Sequence, residues 1–259
     1  MNLSSIVCVA TQKYQWMLWP YSLLLWKYWG RDIQIVYYGD KTEGKLPPGV
    51  TFRQVPLMRE KSEGHWDWVN YFGDGFASIL RELSDPIVAI TLPDMWLVNY
   101  AHLDVIDLLT EYMETHPRVV HAAMCRVCSG GPDTRCVETW GGIDIMTCLP
   151  TNSFQGGLML EPALWNRELA LEIITNRGIW NFELMGKEAM DRRPDLMSVW
   201  VQFPPDAYPY AHVSLRAEAE NLHLWDIPRE EDRKVIEAFI PEHIVPVDTP
   251  VREGHKITL

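Results

Sequence analysis

The sequence predicts an α/β fold with a mostly parallel central sheet flanked by helices, and three observations predict it. A strand, a helix and a second strand follow one another within the first forty residues, the pattern of a parallel β-α-β unit. Residues 87–92, Ile-Val-Ala-Ile-Thr-Leu, form an apolar, β-branched run of the kind found in a strand buried on both faces. Between such runs lie amphipathic stretches of helical spacing, without an internal repeat and without a clear linker.

Each element follows from its residues. Residues 6–10 are a short apolar strand, and Thr11 leaves it. Residues 14–28 are rich in Leu and Trp and read as a helix, with Pro20 near its first turn and Gly30 as its stop. Residues 33–38 give a second strand closed by Gly39 and Asp40, and 50–55 a third. The polar stretch 61–66 reads as loop. Residues 69–83 read as a helix through Phe72, Phe76, Ile79, Leu80 and Leu83. The central strand at 87–92 ends in Pro93 and Asp94, and an amphipathic helix over 102–116 stops at Pro117. Residues 119–124 are a strand. Residues 130–150 show little periodicity and read as loop or irregular insertion. A short strand at 158–160, a helix over 162–175, a helix from 180 to 190, strands at 199–203 and 210–215, and a charged helix after Arg229 complete the chain. One domain over 1–228 with a C-terminal extension over 229–259, packed on it or trailing from it, is the simplest division.

Composition narrows the function. Of 259 residues 47% are hydrophobic, enough for a large core and too many for a disordered chain. The net charge of −12 argues against a general polyanion binder, since phosphate backbones are held by clustered Lys and Arg. No apolar run reaches the roughly 18 residues that span a bilayer, and no basic-then-apolar leader opens the chain, so a cytoplasmic protein without a membrane partner is expected. Five cysteines, an odd count, argue against a disulfide framework. Cys125, Cys128, Cys136 and Cys148 would make a four-thiolate zinc site only without the usual second close pair, so buried free thiols are the better reading. Phosphate-loop, dinucleotide and hydrolase-elbow glycine motifs are absent from the sequence.

Four places carry residues suited to chemistry. Asp94 follows the central strand, where ligands of open α/β sheets bind, and its carboxylate suits a divalent metal or a sugar hydroxyl; a helix-capping Asp is the plain alternative. Ser153-Phe154-Gln155-Gly156-Gly157 pairs an amide that grips hydroxyls with glycines that let backbone approach a ligand, or else is a plain turn. Trp180-Asn181-Phe182-Glu183 sets a carboxylate near a helix start, either as a general base or as a residue favoured there by the helix dipole. His212 follows a turn and suits a metal, whereas His65, His102, His116 and His121 read as surface or satisfied core residues.

Taken in order, these blocks resemble the phage and bacterial GT-A-like glycosyltransferases, over about two thirds of the chain. The resemblance rests on the aromatic-Pro helix over 14–30, the block from Trp66 into the strand and acidic turn ending at Leu97, and the third block from Ser153 to Glu183. It implies a GT-A-like, Rossmann-type fold and transfer of a sugar from a nucleotide-sugar donor, such as a UDP-sugar, to an acceptor hydroxyl. It further implies donor contacts from Ala10, Thr11, Tyr14, Asp40, Asp94, Trp96, Gln155 and Gly156, with Glu183 as catalytic base of an inverting reaction. A divalent metal, Mn or Mg, would sit at Asp94 and His212, but Pro93 stands where relatives carry a second acid, and Lys13, Arg167 or Arg216 is then the substitute cation. A phage-encoded enzyme would act in the host cytoplasm on a hydroxymethylated base in DNA, as in DNA modification, or on a virion protein. The rival readings are a non-catalytic nucleotide- or carbohydrate-binding module with the same fold, and a zinc-stabilised scaffold.

Overall fold

The computed structural model describes residues 3–30, 32–42, 44–57, 60–62, 65–66, 72–125, 134–148, 158, 160–174, 188, 190–202, 206–213, 221–224, 227–241 and 245–247. The predicted opening unit is present. Strand β1 (Ser5–Val9) leads through a 3-10 turn (Gln12–Met17) into α1 (Leu18–Trp29), which ends at a left-handed Gly30. Strand β2 (Gln34–Gly39) then pairs parallel to β1, and β3 (Val50–Gln54) parallel to β2. The 3-10 turn delays the α-helix by four residues relative to the expectation, which places Pro20 in the first turn of α1, where its missing N–H costs nothing.

Two short strands, β4 (Glu60–Ser62) and β5 (His65–Trp66), pair antiparallel where a loop is expected. Helix α2 (Phe72–Glu82) precedes β6 (Ile87–Thr91), whose five residues are all buried. Strand β7 (Met95–Leu97), α3 (Leu103–Thr115) and β8 (Val119–Ala123) follow. The stretch expected to be irregular is instead a hairpin of β9 (Thr134–Trp140) and β10 (Ile143–Cys148). Gly141 and Gly142 join the strands at φ 56° and 84°, the two left-handed positions that a tight hairpin turn demands. Strand β11 (Ala163–Asn166) occupies the start of the expected 162–175 helix, so that α4 (Arg167–Ile173) begins later, with Asn166 accepting a cap hydrogen bond from the Leu169 amide at 3.2 Å. Leu158 and Leu160 are not in a strand. Strands β12 (Met197–Val201), β13 (Tyr210–His212) and β14 (Asn221–His223), α5 (Glu230–Glu237) and β15 (Val245–Val247) complete the described structure.

The central sheet has nine strands in the order β3-β2-β1-β6-β11-β8-β12-β10-β9. Seven point the same way; β11 and β10 run against them. Alternation along the strands divides the core between two faces. Ile6, Cys8, Ile87 and Ala89 join the layer containing α1 and α3, and Val7, Val9, Val88 and Ile90 join the layer containing α2 and α4. The outcome is the predicted α/β architecture, a largely co-directional sheet covered by helices on both sides.

The segment after residue 228 is tied to α1. Asp232 of α5 is 3% exposed and accepts from Lys27 Nζ at 2.6 Å and from the Tyr28 hydroxyl. Ile236 is buried in the α1 layer, and Phe239 stacks on Trp19 with ring centroids 5.3 Å apart.

Candidate functional site

The carboxyl ends of β1 and β6 lie side by side, because the two strands pair in parallel with Cys8 opposite Thr91. In such a sheet the chain leaving each strand crosses the same rim, and side chains from distant segments gather there. Asp94 sits at this rim, three residues past the end of β6. It is 8% exposed, and its carboxylate Oδ2 lies 3.2 Å from His212 Nε2. Strand β13 delivers that imidazole by pairing antiparallel with β7, placing His212 opposite Met95 while the Val213 amide donates to the Asp94 carbonyl at 2.9 Å. Two residues separated by 118 positions, each picked out by the sequence, therefore meet.

The turn that carries Asp94 is braced from below. The Met95 amide donates to the Leu92 carbonyl at 3.2 Å, and Trp96 Nε1 donates to the Pro93 carbonyl at 2.7 Å. Trp96 is fully buried. It holds the turn's shape from within the core. Beneath, the Tyr21 hydroxyl is 2.5 Å from Thr91 Oγ1 and also hydrogen-bonds with Tyr208. Burial pushes the Cys8 thiol well above its ordinary pKa, and the nearby Asp94 charge pushes it further the same way, so Cys8 is a neutral thiol under the site.

A second carboxylate lies toward β8 and β13. Glu161 Oε2 accepts from the Cys125 thiol at 3.1 Å and Glu161 also hydrogen-bonds with Tyr210, which is two residues from His212. Burial raises its pKa, while Cys125 and the His212 charge draw it back. Sequence reasoning missed Glu161. It lies beside a proline before a segment read as helix, and only the β8–β11 pairing brings it to the rim.

The other expected donor residues divide. Ala10 and Thr11 leave β1 at the same rim; the Ala10 amide donates to the Tyr38 carbonyl at 3.0 Å, and the buried Thr11 Oγ1 has no hydrogen-bond partner. Tyr14 is partly buried in the 3-10 turn, with Lys13 Nζ 4.8 Å from its ring centre. Asp40 follows β2 and accepts the Leu57 amide at 2.7 Å, tying the chain that leaves β3 to the chain that leaves β2. Arg167 lies at the opposite end of the sheet. Its amide donates to the Pro86 carbonyl at 2.9 Å and its guanidinium to the Leu83 carbonyl, before β6 begins, so it cannot serve a ligand at Asp94. Gln155, Gly156, Glu183 and Arg216 lie outside the described residues.

The histidines and cysteines settle locally. His121 is fully buried, with Nδ1 2.8 Å from Ser198 Oγ and its ring against Trp165, a satisfied core residue. Cys8, Cys125 and Cys136 are free thiols; Cys8 and Cys125 are buried as expected, whereas Cys136 on β9 is exposed. Among the described residues no three His, Cys, Asp or Glu side chains surround a common point as metal ligands would. No helix among them is long and apolar enough to cross a membrane.

No protein-family description matches the sequence, and no curated protein matches it. Solved structures give distant likenesses. Staphylococcus aureus TarS 1-349 in complex with UDP-GlcNAc is 13% identical, with 92% of this chain and 66% of that one covered and a TM-score of 0.47. CMP:2-keto-3-deoxy-manno-octonic acid synthetase complexed with CTP is 10% identical over 76% of this chain and 90% of that one, TM-score 0.42. Mouse xyloside xylosyltransferase 1 is 12% identical over 76% and 84%, TM-score 0.39. The chain spans 65% of the TarS 1-349 structure and 39% of a longer TarS structure. At these scores no residue role passes from those proteins to this one.

Proposed function

We propose that this chain is a nucleotide-sugar-dependent glycosyltransferase whose donor site is centred on Asp94 and His212. The observation that carries the reading is the meeting of a nearly buried carboxylate and a half-exposed imidazole, from segments far apart in sequence, at the rim where β1 and β6 end. The resemblance of the sequence blocks to GT-A-like glycosyltransferases supports the same conclusion.

In this reading Ala10, Thr11, Tyr14 and Asp40 border the nucleotide, Gln155 and Gly156 approach the sugar, and Glu183 takes the proton of the acceptor hydroxyl as that oxygen attacks the anomeric carbon. The nucleotide leaves from the opposite face, so the configuration inverts. Asp94 and His212 are the residues that would hold a divalent ion. One carboxylate and one imidazole suit Mn, with donor phosphates completing the shell, and such an ion would stabilise the charge on the departing diphosphate. Lys13, at the same rim, is the remaining described cation for that task. The acceptor offers a hydroxyl, on a modified DNA base or on a protein; a base flipped into a pocket needs few phosphate contacts, which the acidic chain permits.

A melting-temperature screen against UDP-, GDP- and CMP-sugars, with and without Mn, tests the reading. A donor at a hundredfold excess over its Kd should raise Tm by on the order of 5 °C. The shift should be lost in Asp94→Asn. No shift with any donor, or one that Asp94→Asn leaves intact, contradicts the proposal. Binding without turnover in the wild type points instead to a non-catalytic module.

A further inference from the structure

An open cavity of about 700 Å³ lies at the other end of the sheet from Asp94. It is lined by Ser4 before β1, Gln34 at the start of β2, Gly49 before β3, Trp26 of α1, and Gly30, Asp32 and Ile33 between α1 and β2. These positions mark the amino ends of three parallel strands, whereas Asp94 lies past the carboxyl end of β6. A five-residue strand is roughly 17 Å long, so the two sites are separate.

The lining is selective. Trp26 is its aromatic residue, packed against the core and only partly buried. Gly49 has φ 82°, and a Cβ there would stand 3.3 Å from Trp26 Cζ2, so the missing side chain keeps the ring edge open. The exposed polar groups are the Ser4 hydroxyl, the Asp32 carboxylate and the Gln34 amide. The Gln34 amide nitrogen lies 3.4 Å from Thr51 Oγ1, which leaves its carbonyl oxygen as an acceptor. Among the described lining residues none is Lys or Arg, and the Asp32 carboxylate repels anions. A cation would favour Asp32 and one indole face, but a single ring forms no aromatic cage.

We propose that this cavity binds a neutral saccharide. Its C–H face would lie on Trp26, and its hydroxyls would donate to the Asp32 carboxylate and exchange hydrogen bonds with Gln34 and Ser4. The volume is that of a small-ligand pocket. The inference goes beyond the donor site and does not depend on it: the pocket grips a saccharide at the end of the sheet opposite Asp94.

The test uses the full chain without nucleotide. Maltotriose and triacetylchitotriose are titrated to millimolar levels against 15N-labelled protein, following the Trp26 indole N–H resonance, assigned by its absence in Trp26→Phe. The expected result is a saturable shift with at least one probe, with affinity weakened about tenfold in Asp32→Ala. Asp32 is exposed, so that variant should melt as the wild type does, and its donor-sugar turnover should be unchanged. A resonance that neither saccharide moves, a shift of equal affinity in Asp32→Ala, or a response to choline alone overturns the proposal. Any of these leaves the donor-site reading standing, because that reading is judged by the nucleotide-sugar screen.

Discussion

Two of the described aspartates, Asp94 and Asp232, are nearly buried, and their surroundings differ. Asp232 accepts from the Lys27 ammonium and from the Tyr28 hydroxyl, and Arg229 in turn donates to Tyr28 at 2.9 Å and stacks over its ring. The Asp94 carboxylate has one hydrogen-bond partner among the described residues, the imidazole of His212, itself 39% exposed. A buried carboxylate costs several kcal/mol unless it is paired, so a fold that needs the charge only for architecture surrounds it with donors. Asp232 is surrounded in that way, and it fastens α5 to α1. Among the described residues the Asp94 carboxylate gathers no such set of donors at the rim of the sheet, as a ligand-binding carboxylate requires.

The contrast yields an ordered set of outcomes. Asp94→Asn should lower sugar transfer about a thousandfold, or ~4 kcal/mol of transition-state stabilisation, while Tm changes little. Asp232→Ala should do the reverse. Urea unfolding should show a loss of about 3 kcal/mol, because Lys27 and Tyr28 lose their shared acceptor, and the folded fraction should keep its turnover. Tyr21→Phe removes the hydroxyl shared by Thr91 and Tyr208 beneath the Asp94 turn, and should cost about 1.5 kcal/mol in the same assay. A loss of turnover in Asp232→Ala at temperatures where it is folded would erase the distinction between the two acids.

Glu161 gives the smallest effect and one with a definite sign. Its folded pKa is raised by burial, so the folded state holds the Glu161 proton more tightly than the unfolded chain does. The stability this contributes is fully present below the unfolded value, near 4.3 for Glu, and is lost as pH rises through the raised folded value. Glu161→Gln, which cannot ionise, should therefore gain on the wild type between pH 4 and pH 7 when both are unfolded in urea. A difference independent of pH would show that burial of the charge is not what the wild type endures.

Much of this was legible in the sequence where local pattern and final structure agree. Residues 5–39 fold as read because strand, helix and strand pack on one another at short range, and Gly30 ends the helix as expected. Asp94 was legible from its place after a largely apolar strand, and His212 from its residue type, although only the β7–β13 pairing makes them neighbours. The hairpin over 134–148 was missed despite its signal, two adjacent glycines between runs able to extend. Residues 163–166 have helix-compatible composition, and their strand is imposed by the slot between β6 and β8, a tertiary demand that overrides local preference. Trp96 was named as a donor contact through the family resemblance alone. Its burial under the turn reflects packing that no local motif reveals.

The central claim is that Asp94 serves a nucleotide-sugar ligand and Asp232 serves the fold. The most direct measurement is release of nucleotide from a panel of nucleotide sugars by wild type, Asp94→Asn and Asp232→Asn, at a temperature where all three are folded. Turnover is expected in the wild type and in Asp232→Asn, with near-complete loss in Asp94→Asn. Equal rates in the wild type and Asp94→Asn, or loss only in Asp232→Asn, would contradict it.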